Sequence, residues 1–319
     1  MFLRVYDVMY ILGFDVGGTK ISAVIGKEDG KIIDKIRKRT MKDYGKSGLT
    51  DELLALGEEL VSRNKIKKIS KIGVIFAGPV DAEKGIIISS PNIIGLKNYN
   101  ISKELEEHFH VPVFLENDAT AATIAEKNFG SAKNFSDFVY ITLSTGIGGG
   151  IFINDKLYKG KHGMAGEVGH MVIMPNGPLC GCGRRGCLEA LASGRGITRR
   201  VVENIGAVRN STFFSSMNPG DIDAKKIFEA QQDGDMFAQL MIEETIYYLA
   251  VGIVNIINIL DPEAIIIGGG LSLEGDILFK PLKLAVEEEM KSMRRPVDII
   301  KGLEDGSDLA AIAITQYKY

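Results

Sequence analysis

The stretch Gly13-Phe14-Asp15-Val16-Gly17-Gly18-Thr19-Lys20 decides how this chain is read. From Met9 to Ile25 the sequence reads as a strand, a tight turn at Gly17-Gly18 and a second strand rich in β-branched and apolar residues. Lys31 to Arg39 supplies a third strand, and an amphipathic helix follows around Leu49 to Asn64. Three short strands and then a helix describe an antiparallel meander that opens an α/β domain. The theme restarts in the second half, with a strand at Phe138 to Leu143, a Ser144-Thr145-Gly146 turn and a return strand at Gly149 to Ile153. Leu143-Ser144-Thr145-Gly146-Ile147-Gly148-Gly149-Gly150 thus echoes the first turn, and the echo predicts duplicated lobes facing each other across a nucleotide.

Between the two copies, Lys71 to Phe76 reads as a buried strand ending at Ala77-Gly78-Pro79, followed by a loop around Ser90-Pro91-Asn92. Ile101 to His110 reads as a helix, Val111 to Glu116 as a strand and Asp118 to Gly130 as an alanine-rich helix, with the first domain boundary at this junction. Further on, helices are predicted at Arg195 to Asn204, Asp223 to Gln232, Glu243 to Leu260, Leu278 to Lys291 and Ser307 to about Tyr317. Strands are predicted at Glu263 to Ile267 and Val297 to Ile300, and Asn210 to Gly220 has the polar, small-residue look of a loop.

A chain of 319 residues exceeds one compact core and suits two domains. Its 45% apolar and 25% charged residues are an ordinary globular composition. The net charge of −3, with basic and acidic residues interspersed, excludes a nucleic-acid tail. The apolar run Val8 to Val16 is broken by Gly13 and Asp15, too short and too polar for a signal peptide or a membrane span. The three cysteines lie within one short loop, which rules out a disulfide framework and points to a reducing compartment, the cytoplasm, and a metal site.

Asp15-Val16-Gly17-Gly18-Thr19-Lys20 places a carboxylate at a strand end before glycines that let backbone N–H groups approach phosphate oxygens, with Thr19 and Lys20 as further donors. It lacks Walker A spacing, and it reads equally as a hairpin turn with an incidental lysine. Ser144-Thr145-Gly146 with Gly148 to Gly150, and Gly268-Gly269-Gly270 after the apolar strand Ile265 to Ile267, are two more loops able to lie against phosphates or adenosine. Gly181-Cys182-Gly183-Arg184-Arg185-Gly186 matches the dinucleotide fingerprint in letters alone, because no apolar strand precedes it.

Cys180-x-Cys182-x4-Cys187 with His170 ten residues upstream is the strongest local signal. It spells a tetrahedral Cys3His zinc site, structural because four protein ligands leave no open position. Asn117-Asp118 follows a strand and precedes a helix, so Asp118 reads either as a helix cap or as an acceptor for the proton of an attacking hydroxyl. Glu167, His170 and Glu189 flank the cysteine loop as acceptors suited to polyol hydroxyls, against the alternative that both glutamates are surface charges.

Taken together, Asp15 to Lys20, Leu115-Glu116-Asn117-Asp118-Ala119, Ser144 to Gly150, Gly166-Glu167-Val168-Gly169-His170 and Cys180 to Glu189 closely resemble the ROK family of sugar kinases and sugar-responsive repressors. The resemblance covers nearly the whole chain and implies a two-lobed, actin-like (ribonuclease-H-like) ATPase of the α/β class, with a nucleotide and sugar cleft between the lobes. It implies a small lobe of residues 1–117 plus about 305–319 and a large lobe of 118–304 carrying the zinc loop. It implies Asp118 as catalytic base, and Gly78, Asn92, Asn117, Asp118, Glu167, His170 and Glu189 around the sugar. Asp15, Gly17, Gly18, Thr19, Lys20, Thr145, Gly146, Gly268, Gly269 and Gly270 would contact nucleotide, and His170, Cys180, Cys182 and Cys187 would hold zinc.

The expected reaction is ATP- and Mg2+-dependent phosphorylation of a hexose 6-hydroxyl. Glucose comes first, and mannose, fructose, N-acetylglucosamine or N-acetylmannosamine are the alternatives. A homodimer or homotetramer is expected, with no nucleic-acid or membrane partner. The rival from another class is a sugar-sensing repressor of the same family, whose helix-turn-helix module has no counterpart before the first strand here. One departure concerns the loop after Asn92, where Ile93-Ile94-Gly95-Leu96 stands in place of the tryptophan many glucokinases carry.

Overall fold

The computed structural model describes residues 9–90, 92–207, 213–215, 217–292, 296–304 and 306–317. The opening meander is β1 (Tyr10–Val16), β2 (Lys20–Lys27) and β3 (Ile32–Arg39). Helix α1 (Gly45–Arg63) then returns the chain to β4 (Ile69–Phe76), parallel to β1. Leu49, Leu53, Leu56 and Leu60 recur at helical spacing and are fully buried, each contributing about 1.5–3 kcal/mol through removal from water. Three short strands, β5 (Val80–Asp81), β6 (Ile86–Ser89) and β7 (Lys97–Asn100), form a separate antiparallel sheet where the sequence predicts a loop. Pairs and quartets of residues are too short to show a period of two. Helix α2 (Ile101–Phe109), strand β8 (Val113–Asn117), parallel to β4, and helix α3 (Asp118–Phe129) follow. The order of the larger sheet is β3-β2-β1-β4-β8.

The second half repeats this order. Strands β9 (Phe138–Leu143), β10 (Ile147–Ile153) and β11 (Lys156–Leu157) form an antiparallel meander. After α4 (Leu188–Ala192), α5 (Gly194–Asn204), α6 (Ala224–Gln232) and α7 (Met236–Leu260), strand β12 (Ala264–Gly268) pairs parallel with β9. Helix α8 (Asp276–Glu289) leads to β13 (Asp298–Lys301), parallel to β12, giving β11-β10-β9-β12-β13. The echo seen in sequence is therefore a repeated topology, three antiparallel strands followed by two parallel ones.

Helix α7 starts at Met236 instead of Glu243 because the Asp235 side chain caps it, accepting from the N–H groups of Phe237 and Ala238, both at 2.9 Å. It is long and apolar enough to cross a membrane, but its apolar residues, among them Ile242, Ile246, Leu249, Ile253 and Ile257, are spent in the core of this half. Of the segment read as a loop, residues 210–212 and 216 lie outside the described residues.

The last helix, α9 (Gly306–Ala313), rejoins the first half, and the chain divides into two compact units, Met1–Lys133 with Asp305–Tyr319, and Asn134–Glu304. The boundary expected after Asn117 thus falls after Lys133, because α3 packs on α9, with the Asn128 amide 3.5 Å from the Ala313 carbonyl. Helix α9 lies on a patch of bare backbone formed by Gly13 and Gly73, which are paired across β1 and β4. A Cβ on Gly73 would stand 1.8 Å from the Ala311 carbonyl oxygen. Gly73→Ala is therefore expected to destabilise by about 3 kcal/mol, the upper end of overpacking costs, since the obstructing atom is backbone. Urea unfolding midpoints would check this against Gly220→Ala, where a Cβ meets nothing within 4 Å.

Candidate active site

In the first unit, Asp15 is the penultimate residue of β1, and the turn behind it is pinned on both sides. The Gly17 N–H donates to the Lys20 carbonyl at 3.0 Å, the Thr40 hydroxyl to the Gly17 carbonyl at 2.8 Å and the Thr40 N–H to the Thr19 carbonyl at 2.9 Å. Thr40 is a positioning residue the sequence does not reveal, because its role comes from the β2–β3 register. Gly18 packs against Asn92: a Cβ there would lie 2.6 Å from the Asn92 amide nitrogen and would displace that side chain. Asn92 itself is set by Ser90, whose hydroxyl accepts from the N–H groups of Asn92 at 3.1 Å and Ile93 at 2.9 Å.

At the end of β8 the two candidate residues divide their roles. Asn117 is the helix cap, its Oδ1 accepting from Ala119 at 3.0 Å and Thr120 at 3.3 Å while its Nδ2 donates to the Gly78 carbonyl at 3.2 Å. Asp118 is the first helical residue, is exposed, and accepts from the Ala119 N–H at 2.9 Å. The reading of Asp118 as the cap is corrected accordingly, since the residue before it has the extended backbone that a cap needs. The Asp15 carboxyl is pushed up to about 6, first by burial and next by the charge of Asp118, which ties the two carboxylates into one electrostatic site.

In the second unit, the Ser144–Gly146 turn adjoins both the Gly268–Gly270 turn and the start of α5. A Cβ on Gly269, whose φ is +86°, would fall 2.6 Å from the Leu143 carbonyl. Gly194 and Arg195 donate backbone N–H groups to the carbonyls of Ser144 at 2.8 Å and Thr145 at 3.2 Å. Glu189 lies against the same turn: its Oε2 accepts from the Ile147 N–H at 3.1 Å and would stand 2.6 Å from a Cβ on Gly146. Its position follows from packing, because Leu188 is buried against Gly252 of α7, and Arg199 and Arg200 donate to the Ala190 and Leu191 carbonyls at 2.8 and 3.2 Å. Glu189 is therefore a placed carboxylate; Glu167 remains more than half exposed, 3.9 Å from His170 Nε2.

The cysteine loop folds back on itself through bridges at Val172–Cys187 and Leu179–Arg185. Gly186 allows this, as a Cβ would meet the Met174 carbonyl oxygen at 1.6 Å. His170 Nδ1 lies 3.7 Å from Cys180 Sγ and Cys182 Sγ 3.7 Å from Cys187 Sγ, and the four ligand atoms all lie within 4.8 Å of one another. A tetrahedron with metal–sulfur bonds of about 2.3 Å has edges of about 3.8 Å, so the set fits zinc. Cys182 is brought down to about 6, chiefly by the Arg184 backbone N–H, whereas burial pushes Cys187 up to about 12. Holding all three sulfurs as thiolates side by side would take a cation. Nδ1 faces the sulfurs and Nε2 faces Glu167, which leaves His170 able to serve a metal and a sugar at once. Arg184, which donates to the His170 carbonyl at 2.6 Å, is a second support that spacing alone does not show. No strand leads into Gly181–Gly186, in keeping with the rejection of the dinucleotide fingerprint.

The family model described as ROK family matches residues 11–310. A glucokinase from Thermotoga maritima is 36% identical over 308 residues, 95% of this chain and 96% of the relative. A ROK family glucokinase from Streptomyces griseus, solved in complex with glucose and AMPPNP, is 30% identical and superposes with a TM-score of 0.82 over 97% of this chain and 98% of its own. A ROK family transcriptional regulator, a homolog of the Escherichia coli MLC protein, is 26% identical with a TM-score of 0.86, over 97% of this chain and 78% of its own. With the match running through both copies of the repeated topology, the chain belongs to the ROK family.

Proposed function

We propose that this protein is an ATP-dependent hexose kinase that transfers the γ-phosphoryl group to the 6-hydroxyl of glucose. The observation that carries the reading is full-length likeness to glucokinases, one of them solved with glucose and an ATP analogue together, in a chain that presents an exposed carboxylate at the start of α3. The proton of the 6-hydroxyl passes to Asp118, the new bond forms between O6 and the γ-phosphorus, and the bond to ADP breaks. Because the transition state of phosphoryl transfer is loose, positioning and charge neutralisation dominate its cost.

Each unit carries its own share of this chemistry. In the first, Asp15 and the Gly17–Lys20 turn contact the nucleotide, and Gly78, Asn92 and Asn117 line the sugar. In the second, Thr145, Gly146 and Gly268 to Gly270 contact the nucleotide, and Glu167, His170 and Glu189 accept sugar hydroxyls. Mg2+ enters with ATP and neutralises phosphate charge. Zinc held by His170, Cys180, Cys182 and Cys187 fixes the loop next to Glu189, and the active form is a homodimer or homotetramer in the cytoplasm.

The reading is tested by steady-state ADP release with MgATP against glucose, mannose, fructose, N-acetylglucosamine and N-acetylmannosamine. Glucose is expected to give the highest kcat/KM. Preference for an N-acetylated sugar would move the substrate, and sugar binding without turnover would make the protein a sensor. Glu189→Gln is expected to lower kcat/KM for sugar about tenfold, because a neutral acceptor replaces a charge-assisted one. Unchanged kinetics would return Glu189 to a purely structural role on the Gly146–Ile147 turn.

A further inference from the structure

Helix α5 carries three arginines, and two of them are spent on the fold. The Arg199 guanidinium donates to the Leu179 and Ala190 carbonyls, both at 2.8 Å. Arg200 donates to the Leu191 and Met241 carbonyls, both at 3.2 Å, and to the Glu244 carboxylate at 2.6 Å. Arg195 differs: it is exposed, and its guanidinium is bonded to none of the described residues. Its backbone is nevertheless fixed against the Ser144–Gly146 turn. The Arg195 N–H donates to the Thr145 carbonyl at 3.2 Å and the Gly194 N–H to the Ser144 carbonyl at 2.8 Å. Gly270 adjoins the same turn, a Cβ there lying 3.8 Å from Ser144 Oγ.

The start of α5 has no backbone donor left for an anion. Its four N-terminal N–H groups are taken: Ser193 by the Glu189 carbonyl at 3.2 Å, Gly194 and Arg195 by the turn, and Gly196 by the Ser193 hydroxyl at 3.0 Å. Hydrogen bonds to an anion at this end of the helix must therefore come from the Arg195 side chain. The turn has need of them. Thr145, Gly146 and Gly268 to Gly270 carry no charge, and the charged side chain already bonded to the turn is an anion, Glu189, through the Ile147 N–H at 3.1 Å.

We propose that the Arg195 guanidinium is a further nucleotide-binding group of the second unit, held at the Ser144–Gly146 turn to bind the phosphates, and not the adenosine, of ADP and ATP. That a nucleotide comes to this turn rests on the kinase reading. The planar fork of a guanidinium matches two phosphate oxygens at once, and with the backbone of Arg195 already fixed only side-chain torsions are ordered on binding. Most exposed arginines do no more than solvate a surface. This one stands on a residue hydrogen-bonded to Thr145, beside a turn whose own residues supply no cation.

The test is calorimetric titration of the full chain with ADP and, by displacement of ADP, with adenosine. Arg195→Ala is expected to weaken ADP binding about 10- to 100-fold, as the loss of charge-assisted hydrogen bonds does, and to leave adenosine binding unchanged. Arg195→Lys keeps the charge and loses the fork, so its ADP affinity is expected to fall between those of the parent and the alanine variant. Thermal midpoints are expected to stay at the parent's value, since the fold makes no bond to that guanidinium among the described residues. ADP binding unchanged in Arg195→Ala, or ADP and adenosine weakened alike, overturns the proposal. Should the alanine variant not fold, Arg195→Gln takes its place in the same two titrations: ADP weakened with adenosine unmoved supports the proposal, and ADP affinity kept by glutamine overturns it. If ADP binding depends on Arg195 but no sugar is phosphorylated, the phosphate contact stands and the transfer reading falls. A parent protein that binds neither ADP nor adenosine removes the nucleotide from the turn, and the kinase reading and the role of Arg195 with it.

Discussion

Asp118→Asn is expected to lower kcat by about 10²–10⁴ while leaving sugar affinity and stability close to those of the parent. The structure sharpens this expectation. Helix α3 is capped by Asn117, and the hydrogen bond that the Asp118 side chain accepts from the Ala119 N–H at 2.9 Å can be kept by an asparagine Oδ1. What is lost is the capacity to take a proton, together with the negative charge. The chain has no tryptophan, so sugar binding is best followed by calorimetry. A second signature comes from Asp15, which the charge of Asp118 helps to raise to about 6. Removing that charge lets Asp15 ionise at lower pH, so the acid limb of the residual activity is expected to move down the pH scale. Near-normal kcat would place the base elsewhere, and a fall in thermal midpoint with kcat unchanged would make Asp118 a folding residue.

The repeated meander was legible in the sequence because its signal is local: β-branched runs on either side of glycine turns at Gly17-Gly18 and Ser144–Gly146. The clustering of His170 with the three cysteines was equally legible, since all four lie in one short segment. What stayed hidden depends on register or on contacts distant in sequence. Thr40 reaches the Gly17 carbonyl only because β2 pairs with β3, and Asp308 meets Ser22 across almost the whole chain. The division of labour between Asn117 and Asp118 was hidden for another reason. Both residues are good caps by composition, and only the backbone of residue 117, extended at φ −66° and ψ 148°, assigns the cap. Glu189 could have been a surface glutamate by base rate; the packing of Leu188 on Gly252 makes it a placed acceptor.

Removing zinc is expected to be the most disruptive single change to the second unit. Purified without added metal, the protein is expected to contain one zinc equivalent per chain, held by His170, Cys180, Cys182 and Cys187. The loop from Met171 to Cys187 is held by backbone hydrogen bonds among its own residues and two isolated bridges, with Cys180 and Cys187 buried. Apparent binding energies of structural zinc in small fingers are about 10–16 kcal/mol, against about 0.5–1.5 kcal/mol for each of those hydrogen bonds. A strong chelator, or Cys187→Ser, is therefore expected to expose the loop to limited proteolysis near Gly181–Arg185. In the proposed kinase the loss is expected to reach the sugar through His170, which presents Nδ1 to the cysteines and Nε2 to Glu167, and through Glu189, whose Oε1 lies 3.8 Å from Cys180 Sγ. Supports of this kind typically cost 10- to 100-fold in affinity or activity when lost, so calorimetry is expected to show sugar binding weakened by about that factor, with nucleotide binding to the first unit less affected. Metal analysis that finds no zinc in fully active protein, with the loop resistant to protease, would leave the cysteines as thiols and remove the metal from the account of Glu189 and His170.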